Sequence, residues 1–144
     1  MASVEEWAEF APESFPVRFR YPQSVEGVRV TVREDQQEGN ARIHLSAEGK
    51  LYFELLCLRN LTPQLEYERH RAYLEDRFGP GSVSDIEPTA IGSFAVATYS
   101  FAWPQHCRTV VSVAHGADTF RVIYDPEIPL NLELLGTLRF EGDA

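Results

Sequence analysis

The sequence is poor in the features that mark exported, membrane-bound or metal-binding proteins. It has two cysteines, and Lys50 is its only lysine. No apolar run approaches the roughly 18–20 residues that a membrane-spanning helix needs. The first residues lack both the basic and the apolar segment of a secretory signal. We therefore expect a soluble, cytoplasmic protein with no membrane association.

Positive charge is also scarce. The 13 basic residues stand against 22 acidic ones, which gives a formal net charge of −9 at pH 7. Such a surface repels phosphate backbones and anionic lipids, so nucleic acid is not an expected partner. Solubility alone can explain the charge, and a basic protein partner is the alternative explanation.

Motifs for catalysis and cofactor binding are missing as well. No G-x-S-x-G motif is present, and no glycine cluster opens a helix, so neither a serine nucleophile nor a phosphate-cofactor site is predicted. The histidines lack metal-ligand spacing; they are His44, His70, His106 and His115. We predict no cofactor, no metal and no catalytic residue, and we expect that the protein is not an enzyme. A cysteine–histidine pair formed only in the fold stays an open alternative.

Both cysteines lie in apolar, strand-like runs. Cys57 and Cys107 are therefore expected to be buried, unreactive thiols. A disulfide between them would require that the two runs be neighbours.

What is present is mostly strand pattern. The 144 residues predict one domain, residues 1–144, in which residues 1–15 form an acidic lead-in with a single amphipathic turn. Alternating and β-branched runs predict strands over residues 16–22, 28–33, 41–47, 51–59, 83–89 and 137–140, with a polar loop over 34–40. A three-stranded antiparallel meander is predicted over 94–103, 107–114 and 119–124.

Two segments have helical patterns. In the first, Thr62 caps a helix over residues 64–78 with Pro63 at its first position, and Gly79-Pro80-Gly81 ends it. Its spacing directs Tyr67 and Leu74 inward and the charged residues, Glu66 among them, outward. A short second helix is predicted to start at Asp125 and Pro126, with Pro129 limiting its length.

This order of elements predicts an α+β fold, a central and mostly antiparallel sheet with helices packed on it.

A binding surface is the remaining candidate site. Trp103 and His106 flank a predicted connection, Arg108 follows it, and Arg18 and Arg20 could present guanidinium groups from an adjacent sheet face. An exposed tryptophan–arginine cluster is typical of a protein-binding hot spot. The alternative is that Trp103 only covers the end of the core.

Four segments resemble a PsbP-like domain: FPVRFRYPQS, AIGSFAVATYSF, FRVIYD and LNLELLGTLRF. The matching positions are Tyr21-Pro22, Gly92 through Ala95, and Thr137 through Phe140. The resemblance implies an α/β/α sandwich around a central antiparallel sheet and a role in protein binding, and it transfers no functional residue.

We therefore expect a non-enzymatic protein-interaction or assembly domain whose partner is another protein, with a homodimer possible. One alternative is a small-ligand carrier or minor enzyme that uses a cavity between helix and sheet, for which a pocket of several hundred Å³ would be the mark. Another is a dimer like those of secretion chaperones, which an extensive two-fold interface would favour.

Overall fold

The computed structural model describes residues 7–10, 17–37, 40–91, 94–103, 106–115 and 117–140. These residues form a mixed α+β fold that is mostly sheet. Its elements are, in chain order, β1 (Trp7–Phe10), β2 (Val17–Pro22), β3 (Ser24–Val25), β4 (Val28–Arg29), β5 (Thr31–Gln37), β6 (Asn40–Ala47), β7 (Leu51–Leu58), α1 (Pro63–Phe78), β8 (Glu87–Ile91), β9 (Phe94–Trp103), β10 (His106–His115), β11 (Asp118–Tyr124), α2 (Pro129–Gly136) and β12 (Arg139–Phe140).

A seven-stranded sheet organises the fold, in the order β5-β6-β7-β11-β10-β9-β8. Every neighbouring pair is antiparallel. The predicted meander is confirmed as β9, β10 and β11. Because β11 pairs with β7, the meander joins the two halves of the sheet and brings residues near position 54 beside residues near position 121.

The sheet has a core cluster on each face, because neighbouring residues of a strand point to opposite sides. Val110 clusters with Tyr67 and Leu74 of α1. Val111, the next residue, clusters instead with Phe19 of β2 and Leu134 of α2. The α1 face is the one that carries the candidate site described below.

The termini of α1 are as predicted. The Oγ1 atom of Thr62 accepts a hydrogen bond from the backbone N–H of Leu65 at 3.2 Å, which satisfies one of the free donors of the first turn. Gly79 follows the helix with φ at +101°, a conformation that residues with a Cβ rarely adopt.

Three sequence predictions about local structure are wrong. The lead-in was expected to form a helical turn, but its described part is β1, which pairs with β2; residues 1–6 and 11–15 lie outside the described residues. The expected loop over 34–40 is largely strand, because β5 continues to Gln37 alongside β6. The second helix starts at Pro129, since Asp125 instead caps a turn by accepting the N–H of Glu127 at 2.9 Å.

The first turn of α2 is fixed to the large sheet by the buried side-chain amide of Asn131. The Oδ1 atom of Asn131 accepts the backbone N–H of Tyr52 at 3.3 Å, and its Nδ2 atom donates to the carbonyl of Asp125 at 2.9 Å. These bonds hold the end of β11 against the start of β7, beside the candidate site. In the described part of the chain, no helix combines the length and apolar character needed to cross a membrane.

Candidate functional site

A cleft lies between α1 and the sheet, and we call it the helix cleft. Its volume is about 480 Å³. Its lining comes from α1 and five strands, and consists of Arg42, Tyr52, Glu54, His70, Tyr73, Leu74, Phe101, Arg108, Arg121 and Ile123. A second hollow of about 440 Å³ shares His70, Tyr73 and Arg121 with it.

The residues of the cleft come together because of strand alternation and strand order. Tyr52 and Glu54 lie two positions apart on β7, as do Arg121 and Ile123 on β11, so each pair faces the same side. The insertion of β11 between β7 and β10 places these strands next to one another under α1. The seam of polar side chains is therefore a product of long-range strand pairing.

A buried carboxylate forms the base of the site. Glu66 on α1 is only 2% exposed. Its Oε1 atom accepts hydrogen bonds from the Tyr99 hydroxyl at 2.7 Å and from Arg121 at 3.4 Å, and its Oε2 atom accepts one from Ser112 at 3.4 Å. Burial raises the pKa of Glu66, while these three donors act in the opposite direction.

His70 extends this network toward the cleft. Its Nδ1 atom lies 2.6 Å from the Tyr99 hydroxyl oxygen. Because that hydroxyl donates to Glu66, Nδ1 must carry the proton and donate to Tyr99. Burial, aided by the positive charge of Arg121, lowers the pKa of His70 to about 3, so the imidazole is neutral at pH 7. Burial and the Glu66 carboxylate raise the pKa of Tyr99.

Three arginines reach the helix cleft, and each is held by one carboxylate. Arg42 contacts Glu54 at 3.4 Å, Arg108 contacts Asp125 at 3.5 Å, and Arg121 contacts Glu66 at 3.4 Å. These contacts are long and use a small part of the five N–H donors of each guanidinium. The Nε atoms of two of them, Arg42 and Arg121, are buried and have no hydrogen-bond partner in the described part of the chain.

Aromatic rings complete the walls. The guanidinium of Arg108 lies over the ring of Tyr52, with its central carbon 4.5 Å from the ring centroid. The Tyr52 hydroxyl is 3.5 Å from Glu54, and burial together with that carboxylate raises the pKa of Tyr52. The cleft thus offers cationic donors beside flat aromatic surfaces.

The residues of the predicted surface cluster lie on three strands of two sheets. Arg18 and Arg20 are exposed on β2, which belongs to the small sheet β1-β2-β12. Trp103 ends β9 and pairs with His106 at the start of β10, but the side chains of both, and residues 104 and 105, lie outside the described residues. Arg108 was expected at an exposed surface; its side chain is only 14% exposed and lies in the helix cleft.

Sequence reasoning placed Glu66 on the outer side of the helix, and that prediction is wrong. A signal for the buried position was present: Glu66 precedes His70 by four residues and Leu74 by eight, so the three share a helical stripe. A charged residue on the same helical stripe as the buried Leu74 indicates a buried polar network.

The prediction that Cys107 is buried is also wrong, because the residue is exposed on β10 whereas Cys57 is buried on β7. Both thiols are free. Their strands are separated by β11, so they do not satisfy the condition for a bridge. Among the described residues, no three His, Cys, Asp or Glu side chains are grouped so that they could hold a metal ion.

A larger hollow of about 530 Å³ lies beside the β3–β4 hairpin. It is lined by Tyr21, Gln23, Ser24, Gly27, Arg29 and Val30. Arg29 is its one charged residue, and Gly27 sits at the exposed tip of a turn. We favour the helix cleft because several charged groups, fixed by buried partners, converge there.

Comparison of the chain with protein-family models, with curated proteins and with solved structures found no match.

Proposed function

We propose that the protein is a non-enzymatic binding domain whose ligand site is the helix cleft. The observation that carries this proposal is the convergence of three arginines, Glu54 and two tyrosines on one cleft of about 480 Å³. Pockets of several hundred Å³ with a few fixed polar groups are typical small-molecule sites. Of the functions expected from the sequence, the small-ligand carrier is the one that this geometry supports best.

The protonation of the lining favours binding over acid–base catalysis. His70 and Tyr52 are the two side chains of the lining whose pKa values are shifted. The pKa of His70 is lowered to about 3 and that of Tyr52 is raised, so both move away from neutrality.

We further propose that the fold is of PsbP-like type, an α/β/α sandwich. The placement of α1 and α2 supports this proposal: Leu74 of α1 belongs to the core cluster on one face of the large sheet, and Leu134 of α2 to the cluster on the other. An experimental structure and its comparison with PsbP-like domains would test it.

The binding proposal is tested by titrating a library of small fragments into ¹⁵N-labelled protein. Amide shifts should cluster at Tyr52–Glu54, at residues 70–74, and around Arg108 and Arg121. Replacing Tyr73 by Ala should weaken the fragments that bind there, whereas the matched Tyr21→Ala change at the hairpin hollow should not. Fragments that shift only residues 21–30 would contradict the proposal.

Protein interaction is a second proposal, favoured by an exposed tyrosine–arginine pair. Tyr73 is 52% exposed, and the Nη1 atom of Arg77 donates to its hydroxyl at 3.1 Å. Tyrosine and arginine are enriched in interaction hot spots. Arg77 is outside the lining of the helix cleft. If this surface binds a protein, Arg77→Ala should reduce recovery of that partner in a pull-down and leave fragment binding unchanged; equal recovery would remove the pair from consideration.

A further inference from the structure

We infer that the helix cleft selects a small organic anion, a carboxylate or phosphate group joined to a flat aromatic body. This inference rests on the proposed binding function and adds the chemical class of the ligand. It is based on the charge of the cleft, on the arginine donors that are not fully used, and on the aromatic rings.

The charge of the lining is opposite to that of the whole chain. The formal net charge is −9. Three arginines and one glutamate line the helix cleft, and His70 adds no charge at pH 7 because its pKa is about 3. The lining therefore presents more positive than negative charge to a ligand, and the carboxylates of Asp125 and Glu66, which pair with Arg108 and Arg121 from outside the lining, offset part of it.

The arginines are held in place but incompletely used. Asp125 and Glu66, the partners of Arg108 and Arg121, are not part of the lining of the helix cleft, and Glu66 lines the adjoining hollow instead. They fix the guanidiniums while leaving donors for a ligand. The Nε atoms of Arg42 and Arg121 are buried and have no hydrogen-bond partner in the described part of the chain, so the outer nitrogens are the ones that contact Glu54 and Glu66 and that a ligand can reach. A carboxylate or phosphate, which accepts paired N–H donors from arginine, fits this arrangement.

The carboxylates of the site do not remove this preference. Glu54 is the one acid among the described residues of the lining, and Arg42 at 3.4 Å offsets its charge. Glu66 lies deeper and receives hydrogen bonds from Tyr99, Ser112 and Arg121, so its lone pairs are occupied. The donors of the lining therefore outnumber its acceptors.

The aromatic side chains of the cleft indicate what the uncharged part of the ligand is. Tyr52, Tyr73 and Phe101 contribute their rings to the lining, and Arg108 already lies over one of them. Aromatic groups pack well against such surfaces, by stacking or edge-to-face contact. A single-ring acid is far smaller than the cleft and is a suitable first probe.

The experiment compares four probes by amide and ligand-detected NMR titration: benzoate, phenyl phosphate, inorganic phosphate and the neutral isostere benzamide. We expect benzoate or phenyl phosphate to bind the cleft about tenfold tighter than benzamide, since charge-assisted hydrogen bonds are about twice as strong as neutral ones. The tighter of the two anions identifies the preferred group. Inorganic phosphate should bind more weakly than phenyl phosphate.

Three variants each remove one positive charge: two in the cleft, and one elsewhere as the control. Arg42→Gln and Arg108→Gln should each weaken the organic anions about tenfold and change benzamide little. Arg20→Gln, on the exposed side of β2, should leave all affinities unchanged.

The outcomes separate the two proposals. If benzamide and benzoate bind the cleft equally, the anion inference fails and the binding function stands. If inorganic phosphate binds as tightly as phenyl phosphate, the aromatic part fails. If none of the probes, and no fragment, shifts residues of the helix cleft, both proposals fail. Equal weakening of the anions by Arg20→Gln would also overturn the inference, because binding would then depend on overall charge.

Discussion

Replacing Tyr99 by Phe removes one hydroxyl from the most buried part of the site. That hydroxyl donates to Glu66 at 2.7 Å, and its oxygen lies 2.6 Å from Nδ1 of His70. Without it, the donors that remain to Glu66 among the described residues are Ser112 and Arg121, both at 3.4 Å. A hydrogen bond to a charged group contributes about 1.5–3 kcal/mol, and a buried donor left unpaired adds to the cost. We therefore expect the free energy of unfolding to fall by about 2–4 kcal/mol at pH 7.

Urea denaturation of the wild type and two variants measures this effect, with Tyr73→Phe as the matched control. Tyr73 is 52% exposed, so loss of its hydroxyl should change the free energy of unfolding by less than about 0.5 kcal/mol. The cost of Tyr99→Phe should also shrink as the pH falls, because protonated Glu66 no longer needs a donor for a negative charge. A change within about 0.5 kcal/mol for both variants would refute the buried network.

Two further predictions concern pH and thiol reactivity. The pKa of His70 is lowered from 6.5 to about 3, so the unfolded state binds more protons between these values and stability is lost as the pH falls through that window. Between pH 7 and pH 5 this amounts to about 2 kcal/mol. Urea denaturation of the wild type and of His70→Gln at several pH values should measure this effect as the difference between their free energies of unfolding. Glu66 contributes in the opposite direction, but it is present in both proteins. A difference that does not change with pH would contradict the prediction. Cys107 is exposed and Cys57 is buried, so a thiol reagent should label Cys107 in the native protein and Cys57 only after unfolding; equal native rates would contradict this placement.

Local patterns were sufficient for the elements whose residues alternate cleanly or carry their own caps. The meander and α1 are examples, since strand alternation and the Thr62-Pro63 start act within a few residues. The exceptions depend on pairing. Trp7–Phe10 is a strand because β2 lies beside it, and the polar end of β5 is a strand because β6 pairs with it. Local propensity contains no information about such neighbours.

The site was harder to predict than the fold. Arg42, Arg108 and Arg121 are far apart in the sequence and meet only because β11 enters between β7 and β10. The helical pattern, which predicts that charged residues face outward, also gave the wrong side for Glu66, because the cost of burying Glu66 is offset by donors on three strands. Of the residues proposed from sequence, Arg108 lies in the cleft, although for a different reason: it extends from a strand under α1 rather than from an exposed surface.

The side-chain Nε–H signals of the arginines test the central claim most directly, because they report on the donors themselves. Titration of benzoate and phenyl phosphate should shift the Nε–H resonances of Arg42, Arg108 and Arg121, because an anion bound to the outer nitrogens of a guanidinium changes the environment of its Nε–H. The Arg20 resonance should stay in place. Saturating shifts at the three cleft arginines would support anion binding in the helix cleft; shifts at Arg20 equal to theirs, or no shift at any of the three, would contradict it.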